Sequence, residues 1–263
     1  MKSQATIPPF VGLEICVDTA SGLTAAAENG ADRIELCAAL SEGGLTPSIG
    51  MMELAELAER ASTPVRAMIR PRGGNFIYGT AELNVMRRDI EQAASCHLDG
   101  VVLGCNRESG ELDETALATL VEHARTFGLK VTLHRGFDLV PDPMRALSIA
   151  VALRIDTILT SGMQATAANG AAVIAELVRA ARSGAGGFAI EIMAGAGITP
   201  ASVEHLVRQT GVGFVHSSCS RPRGNTNENG DRLGLYATAQ RETDPMLIAQ
   251  LRRAIDRSNV KVV

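Results

Sequence analysis

Three short runs repeat one pattern of chemistry-bearing side chains. In 13-LEIC-16, 34-IELC-37 and 190-IEIM-193 a glutamate sits between aliphatic residues with a sulfur two places later. Side chains alternate along a β-strand, so Glu14 shares a face with Cys16, Glu35 with Cys37 and Glu191 with Met193. Carboxylates on such a face can act as general acids or bases or hold a divalent cation, whereas thiols and thioethers prefer Cu(I). An unpaired buried carboxylate is costly, so the glutamates need partners, and Arg66 and Arg70 are the expected ones. The same residues could instead close a purely structural ion network.

A histidine and several loops extend the set. His134, near the end of 130-KVTLHR-135, is the expected base, although a hydrogen-bonded core histidine would look the same in sequence. The loop 70-RPRGGNF-76 is expected to hold Arg70 and Arg72 over an opening as an anion clamp. Ser161 in 160-TSGM-163, Gly195 and Gly197 in 194-AGAGITP-200, and His216 and Ser217 in 216-HSSCS-220 complete an expected site for a small anionic or phosphorylated ligand. Backbone amides at a helix start after Gly197 would favour such a ligand. Glycine-rich turns also arise simply to reverse the chain.

These residues need a frame that brings them together. Strands are expected at 12–17, 33–37, 65–70, 100–105, 130–135, 156–161, 188–193 and 213–218. Between them lie helical segments such as 52-MELAELAER-60, 113-DETALATLVEHAR-125 and 171-AAVIAELVRAAR-182. Thr199-Pro200 and Asp244-Pro245 read as helix starts. About eight strand–helix units in one chain have the size and rhythm of an α/β (β/α)8 TIM barrel spanning residues 1–263. Its inner face is then expected to carry Arg66, Met68 and Arg70, Leu103 and Cys105, Thr132 and His134, and Phe214 and His216. No early GxGxxG follows the first strand, which argues against an open dinucleotide-binding sheet. Residues 219–243 form a long polar loop after the last strand, either a lid bearing Arg221 and Arg223 or a surface insertion.

Composition narrows the function classes. A net charge of −4 and a pI near 5.8 argue against a nucleic-acid surface. The opening residues lack the apolar stretch of a secretion signal and no run is long enough for a bilayer, so a cytoplasmic, non-membrane protein is expected. Five cysteines without CxxC spacing fit reduced thiols. Lys2, Lys130 and Lys261 are the only lysines, two near the termini and one at the start of a strand. Schiff-base and pyridoxal-phosphate chemistry, which need an active-site lysine, are therefore disfavoured.

The motifs LEICVD, GADRIELCAALSEGGLTPS, MIRPRGG, VTLHRGFD, LTSGM, IMAGAGIT and VHSS, in this order over about 215 residues, resemble the CutC family of copper homeostasis proteins. The resemblance implies a TIM barrel, a cytoplasmic location, a homo-oligomer (a homodimer or homotetramer is expected) and copper binding. It also places Asn75 where the family pattern is expected to carry Asp. On their own chemistry, Cys16 and Cys37 end adjacent strands about 4.8 Å apart and could grip one Cu(I) ion, the positions to which the resemblance also points; the alternative is two small core thiols. Met193, Cys105, His134 and His216 are further potential donors. A second reading is a barrel enzyme of unassigned reaction, an isomerase, epimerase or hydrolase. It would use Glu14, Glu35, His134 and Glu191 in acid/base or divalent-metal chemistry on a small anionic substrate. A third is a scaffold barrel, for which a filled mouth is expected.

Overall fold

The computed structural model describes residues 10–60, 62–183, 189–223, 233 and 241–259. Eight parallel strands close into a barrel in sequence order: β1 (Gly12–Val17), β2 (Arg33–Leu36), β3 (Val65–Met68), β4 (Gly100–Leu103), β5 (Lys130–Leu133), β6 (Thr157–Thr160), β7 (Glu191–Ala194) and β8 (Phe214–Ser217). Helices α1 (Ala20–Glu28), α2 (Ile49–Arg60), α3 (Thr80–Ser95), α4 (Glu114–Thr126), α5 (Pro143–Ala152), α6 (Ala171–Arg182) and α7 (Val203–Thr210) alternate with the strands, and α8 (Pro245–Asn259) closes the jacket. An antiparallel ribbon of β9 (Ser220–Pro222) and β10 (Arg241–Thr243) stands between β8 and α8. This is the (β/α)8 TIM barrel expected from the strand–helix rhythm. Apart from Leu233, the tip of the expected long loop, residues 224–240, lies outside the described residues.

Strand alternation decides what points where. Leu13, Ile15 and Val17, with Ile34 and Leu36, are buried in one continuous apolar layer under the helices. Their alternate neighbours Glu14, Cys16, Arg33 and Glu35 enter the barrel and are also buried. The fourth strand corrects the expected inner set. Met68 is in register with Val102, so Val102 joins Met68 and Cys37 inside, while Leu103 and Cys105 belong to the outer apolar layer. The next inward position is Gly104, where a β-carbon would lie 2.4 Å from His134 Cε1. The strand must be bare there for the imidazole to occupy the barrel interior.

Six of the strands, all but β1 and β7, end one or two residues before the expected C-terminal ends because the chains leave the ladder into the loops. Arg70, for instance, already donates its backbone N–H to the Thr46 hydroxyl at 2.9 Å. Side-chain caps mark several helix starts, with Thr19 accepting from Gly22 N at 3.0 Å and Asp113 from Ala116 N at 3.1 Å. The expected start at Asp244-Pro245 is present, and Asp244 accepts from Met246 N at 2.8 Å. At Thr199-Pro200 the helix does not begin. Thr199 O accepts from both Ser202 N and Val203 N, an extra turn that delays α7 to Val203.

Candidate functional site

The barrel floor is an ion network centred on Arg33. Glu14 is in register with Arg33 on the neighbouring strand, and its Oε2 accepts from Arg33 Nε. Arg33 also donates to Glu191 Oε2 at 3.2 Å and to Met193 Sδ at 3.3 Å, with its guanidinium 4.3 Å from the Phe214 ring centroid. The expected partners Arg66 and Arg70 are corrected accordingly. Arg66 bonds Thr132 (2.7 Å), Thr157 (3.0 Å) and Asp99 (3.2 Å), and Arg70 bonds loop carbonyls. The strand register delivers Arg33, not Arg66, opposite Glu14.

Above this floor His216 Nδ1 lies 2.8 Å from Glu14 Oε1. Both Glu14 oxygens are thereby engaged. Burial alone would raise the Glu14 pKa, but the adjacent Arg33 and His216 reverse this and hold the carboxyl well below its usual range. Burial alone would likewise depress His216, yet the facing Cys16, Glu35 and Glu14 groups push its pKa well above the ordinary histidine value. Glu35 goes the other way, and burial leaves its carboxyl pKa raised despite the opposing His216 charge.

One step toward the mouth, donor atoms of Cys16, Glu35 and His216 all lie within 4.8 Å of one another, a thiol, a carboxylate and an imidazole on three adjacent strands. It is the one such metal-competent group among the described residues. Cys37 lies outside it. Cys16 is in register with Glu35, so Cys37 stands two residues further along, and its thiol donates to Glu35 Oε1 at 3.4 Å. Burial and the neighbouring Glu35 push the Cys37 thiol well above its ordinary pKa. All five cysteines are free and buried.

A cavity of about 510 Å³ opens above these residues at the C-terminal end of the barrel, lined by Cys16, Glu35, Arg70, Phe76, His134 and His216 among others. Among the described residues no side chain fills the mouth as a scaffold barrel would require. His134 Nδ1 accepts from Gly136 N at 3.0 Å, and burial together with the Arg70 charge holds its pKa down to about 4, so the ring is neutral.

Several expected site residues are placed elsewhere. Arg72 donates to Glu82 (2.5 Å) and to the carbonyls of Gly73, Asn75 and Ile77, so it staples its own loop and does not line the cavity. Ser161 N and Oγ are bound to Asp138. Gly195 stays beside the cavity, where an added β-carbon would meet Leu159 and His216, whereas one at Gly197 would meet Thr166, and Ser217 donates to Ile198 O at 3.3 Å. Glu191 sits at the opposite end of the barrel interior, at the start of β7. The sequence reading missed Asp138. Its carboxylate accepts from Thr160 Oγ1 (2.5 Å), Ser161 N and Oγ, Met163 N and Arg135 Nε. An Asp three residues after an Arg in a turn was the available signal.

Fold and site together define a TIM barrel whose mouth holds a thiol, a carboxylate and two histidines around a cavity. The profile of the CutC family matches residues 11–221, and the chain belongs to that family. A family protein CutC from Sinorhizobium medicae is 46% identical over 244 residues, covering 93% of this chain and 96% of the relative. One from Caulobacter vibrioides is 42% identical over 245 residues, covering 92% and 96%. The solved structure of CutC from Streptococcus agalactiae, whose name carries the words copper homeostasis protein, has a TM-score of 0.73 and 32% identity, and covers 80% of this chain and 99% of that one. Thiamine phosphate pyrophosphorylase from Pyrococcus furiosus, at 13% identity and a TM-score of 0.59, covers 94% and 96% and shares the fold alone.

Proposed function

We propose that the protein serves copper homeostasis by binding Cu(I) at Cys16 and His216, with Glu35 as a third donor. The carrying observation is the convergence of these three side chains within 4.8 Å at the foot of the cavity. The donor set fits: the Cys16 sulfur supplies the soft ligand that Cu(I) prefers, and the His216 ring nitrogen a compatible second one. Glu14 would orient His216 from below, as carboxylates do for metal-binding imidazoles. Cys37, protonated and tied to Glu35, is a reserve sulfur in this arrangement. The mixed set would also accept a divalent metal. Family membership and the wording attached to the streptococcal relative support the copper reading.

Anaerobic Cu(I) titration against a competing chelator tests it. One ion per chain is expected, with affinity falling at least tenfold in Cys16→Ser and in His216→Gln and much less in Cys37→Ser. Unchanged affinity in Cys16→Ser would reject the assignment.

The same reading includes a cytoplasmic location, supported by five unbonded thiols; no helix among the described residues is long and apolar enough to cross a membrane. It also includes a homodimer or homotetramer, supported by the apolar side chains that α2 and α3 leave exposed, Ile49, Leu57 and Val85.

A further inference from the structure

The cavity is much larger than the ion that the copper reading places at its foot. Its volume of about 510 Å³ lies in the range of pockets that hold a small organic molecule, far above the ~30 Å³ share of one water. Cys16, Glu35 and His216 all line it, so the metal-competent cup is the floor of that space.

The cup is also short of soft donors. Cu(I) prefers sulfur, and a carboxylate oxygen such as that of Glu35 is a poor match for it. Cys16 brings the one sulfur of the group. Cys37 lies outside it, is buried, and donates to Glu35 Oε1 at 3.4 Å. An ion on Cys16 and His216 therefore has a position that a sulfur arriving through the cavity would fill better than Glu35.

The rim supplies charge of the sign such a molecule could use. Arg135, which follows β5, and Arg241, which opens β10, both line the cavity. Arg135 is braced by Asp138 and by Ser161 Oγ, both at 2.8 Å, and Arg241 by Ser220 Oγ at 2.9 Å and by Ser220 O. These bonds use two of the five N–H donors of each guanidinium. Both residues are exposed, the Arg135 side chain by 43%. The acidic side chains Asp18 and Glu242 on the same wall are engaged elsewhere, Asp18 by Leu40 N at 3.0 Å and Glu242 by Arg221 at 3.1 Å.

On the basis of the copper reading, we propose that the cavity takes up a small thiol bearing carboxylates. Its sulfur joins Cys16 and His216 on Cu(I) in place of Glu35, and its carboxylates pair with Arg135 and Arg241 through charge-assisted bonds. The copper stays in the +1 state, and the thiol gives its proton to solvent as the sulfur binds. The chain then carries its ion as a mixed adduct in which the small molecule occupies the space above the cup.

The test loads the full chain anaerobically with one equivalent of Cu(I). It is titrated with glutathione, an acidic tripeptide thiol, and with cysteamine, a thiol without a carboxylate. X-ray absorption counts the sulfurs on copper, and chelator competition reads whether the ion stays on the chain. With glutathione the count is expected to rise by one while copper is retained, at a half-saturating concentration at least tenfold below that of cysteamine. The Arg135→Gln/Arg241→Gln double variant is expected to lose at least tenfold in affinity for glutathione and little for cysteamine. If that variant fails to fold, the wild-type comparison of the two thiols decides. An unmoved sulfur count, copper stripped by glutathione, equal affinity for the two thiols or undiminished glutathione affinity in the folded variant overturns the proposal and leaves the copper reading standing. A chain that holds no copper before thiol is added overturns both.

Discussion

His216 Nδ1 meets Glu14 Oε1 at 2.8 Å inside the barrel, and through Glu14 it is coupled to Arg33 beneath. The imidazole is thus not free to choose its orientation, and its second nitrogen is left for the Cys16 and Glu35 side of the cup. Glu14 is sealed from solvent with both oxygens used, so it acts on the site by positioning His216 and not by touching a ligand.

Removing the charge of Glu14 should therefore be expensive. Glu14→Gln leaves Arg33 buried with only Glu191 opposite, and a loss of about 3 kcal/mol in urea unfolding is expected. Replacing both members, Glu14→Gln with Arg33→Met, should recover a substantial part of it. A double variant as unstable as the sum of the two singles would contradict the coupling.

Stability should pass through a maximum near neutral pH. The folded pKa of His134 is depressed from 6.5 to about 4, so between these values the unfolded chain binds more protons and stability falls as pH falls, by up to about 3 kcal/mol. His216 has the opposite sign. Its folded pKa is raised, so its contribution is complete below pH 6.5 and is lost as pH rises through the folded value. Denaturant midpoints from pH 4 to 9 should show both slopes, the acid one becoming shallower in His134→Phe, where the Glu14 carboxylate still contributes near pH 4.

Gly104→Ala should disturb the site without altering a polar group. The added methyl would meet the His134 ring at 2.4 Å in a strand that has no room to retreat. A destabilisation of about 2 kcal/mol is expected by calorimetry, together with a displaced His134 ring resonance. Wild-type stability with an unmoved resonance would show that β4 yields more than the packing suggests.

Asp138→Ala should unfasten the β6 loop. The carboxylate holds the Thr160 and Ser161 hydroxyls and the Ser161 and Met163 amides, and their loss is expected to cost about 3 kcal/mol. Hydrogen exchange at Ser161 and Met163 should accelerate ahead of the barrel strands. Unchanged protection there would refute the role.

Much of this was readable from the sequence because alternation in LEIC and IELC leaves little choice about which side chains enter a barrel. The convergence of Glu14, Cys16, Glu35, His134 and His216 follows from that alternation once the strands are parallel and closed. The fourth strand resisted, since Gly100–Leu103 is apolar on both faces and offers no polar residue to mark the inside. Pairing was hidden for a different reason. Whether Arg33 or Arg66 meets Glu14, and whether Cys37 or Glu35 stands beside Cys16, depends on register between strands, which is set by the whole barrel and not by either strand alone. Arg72 looked like a clamp because its use on loop carbonyls depends on a backbone path that the residues RPRGG do not reveal.

The two sides of the mouth are fastened by unlike means. On the β5–β6 side, Asp138 rivets two loops together with largely buried bonds that dissolved salt hardly weakens. Across from it, the two strands of the β9–β10 ribbon are joined to each other by their ladder and by exposed contacts of Arg221 with Glu242 at 3.0 Å and Asp244 at 3.7 Å, which electrolyte screens readily. Raising ionic strength should therefore weaken the pairing within the ribbon while leaving the Asp138 bonds intact.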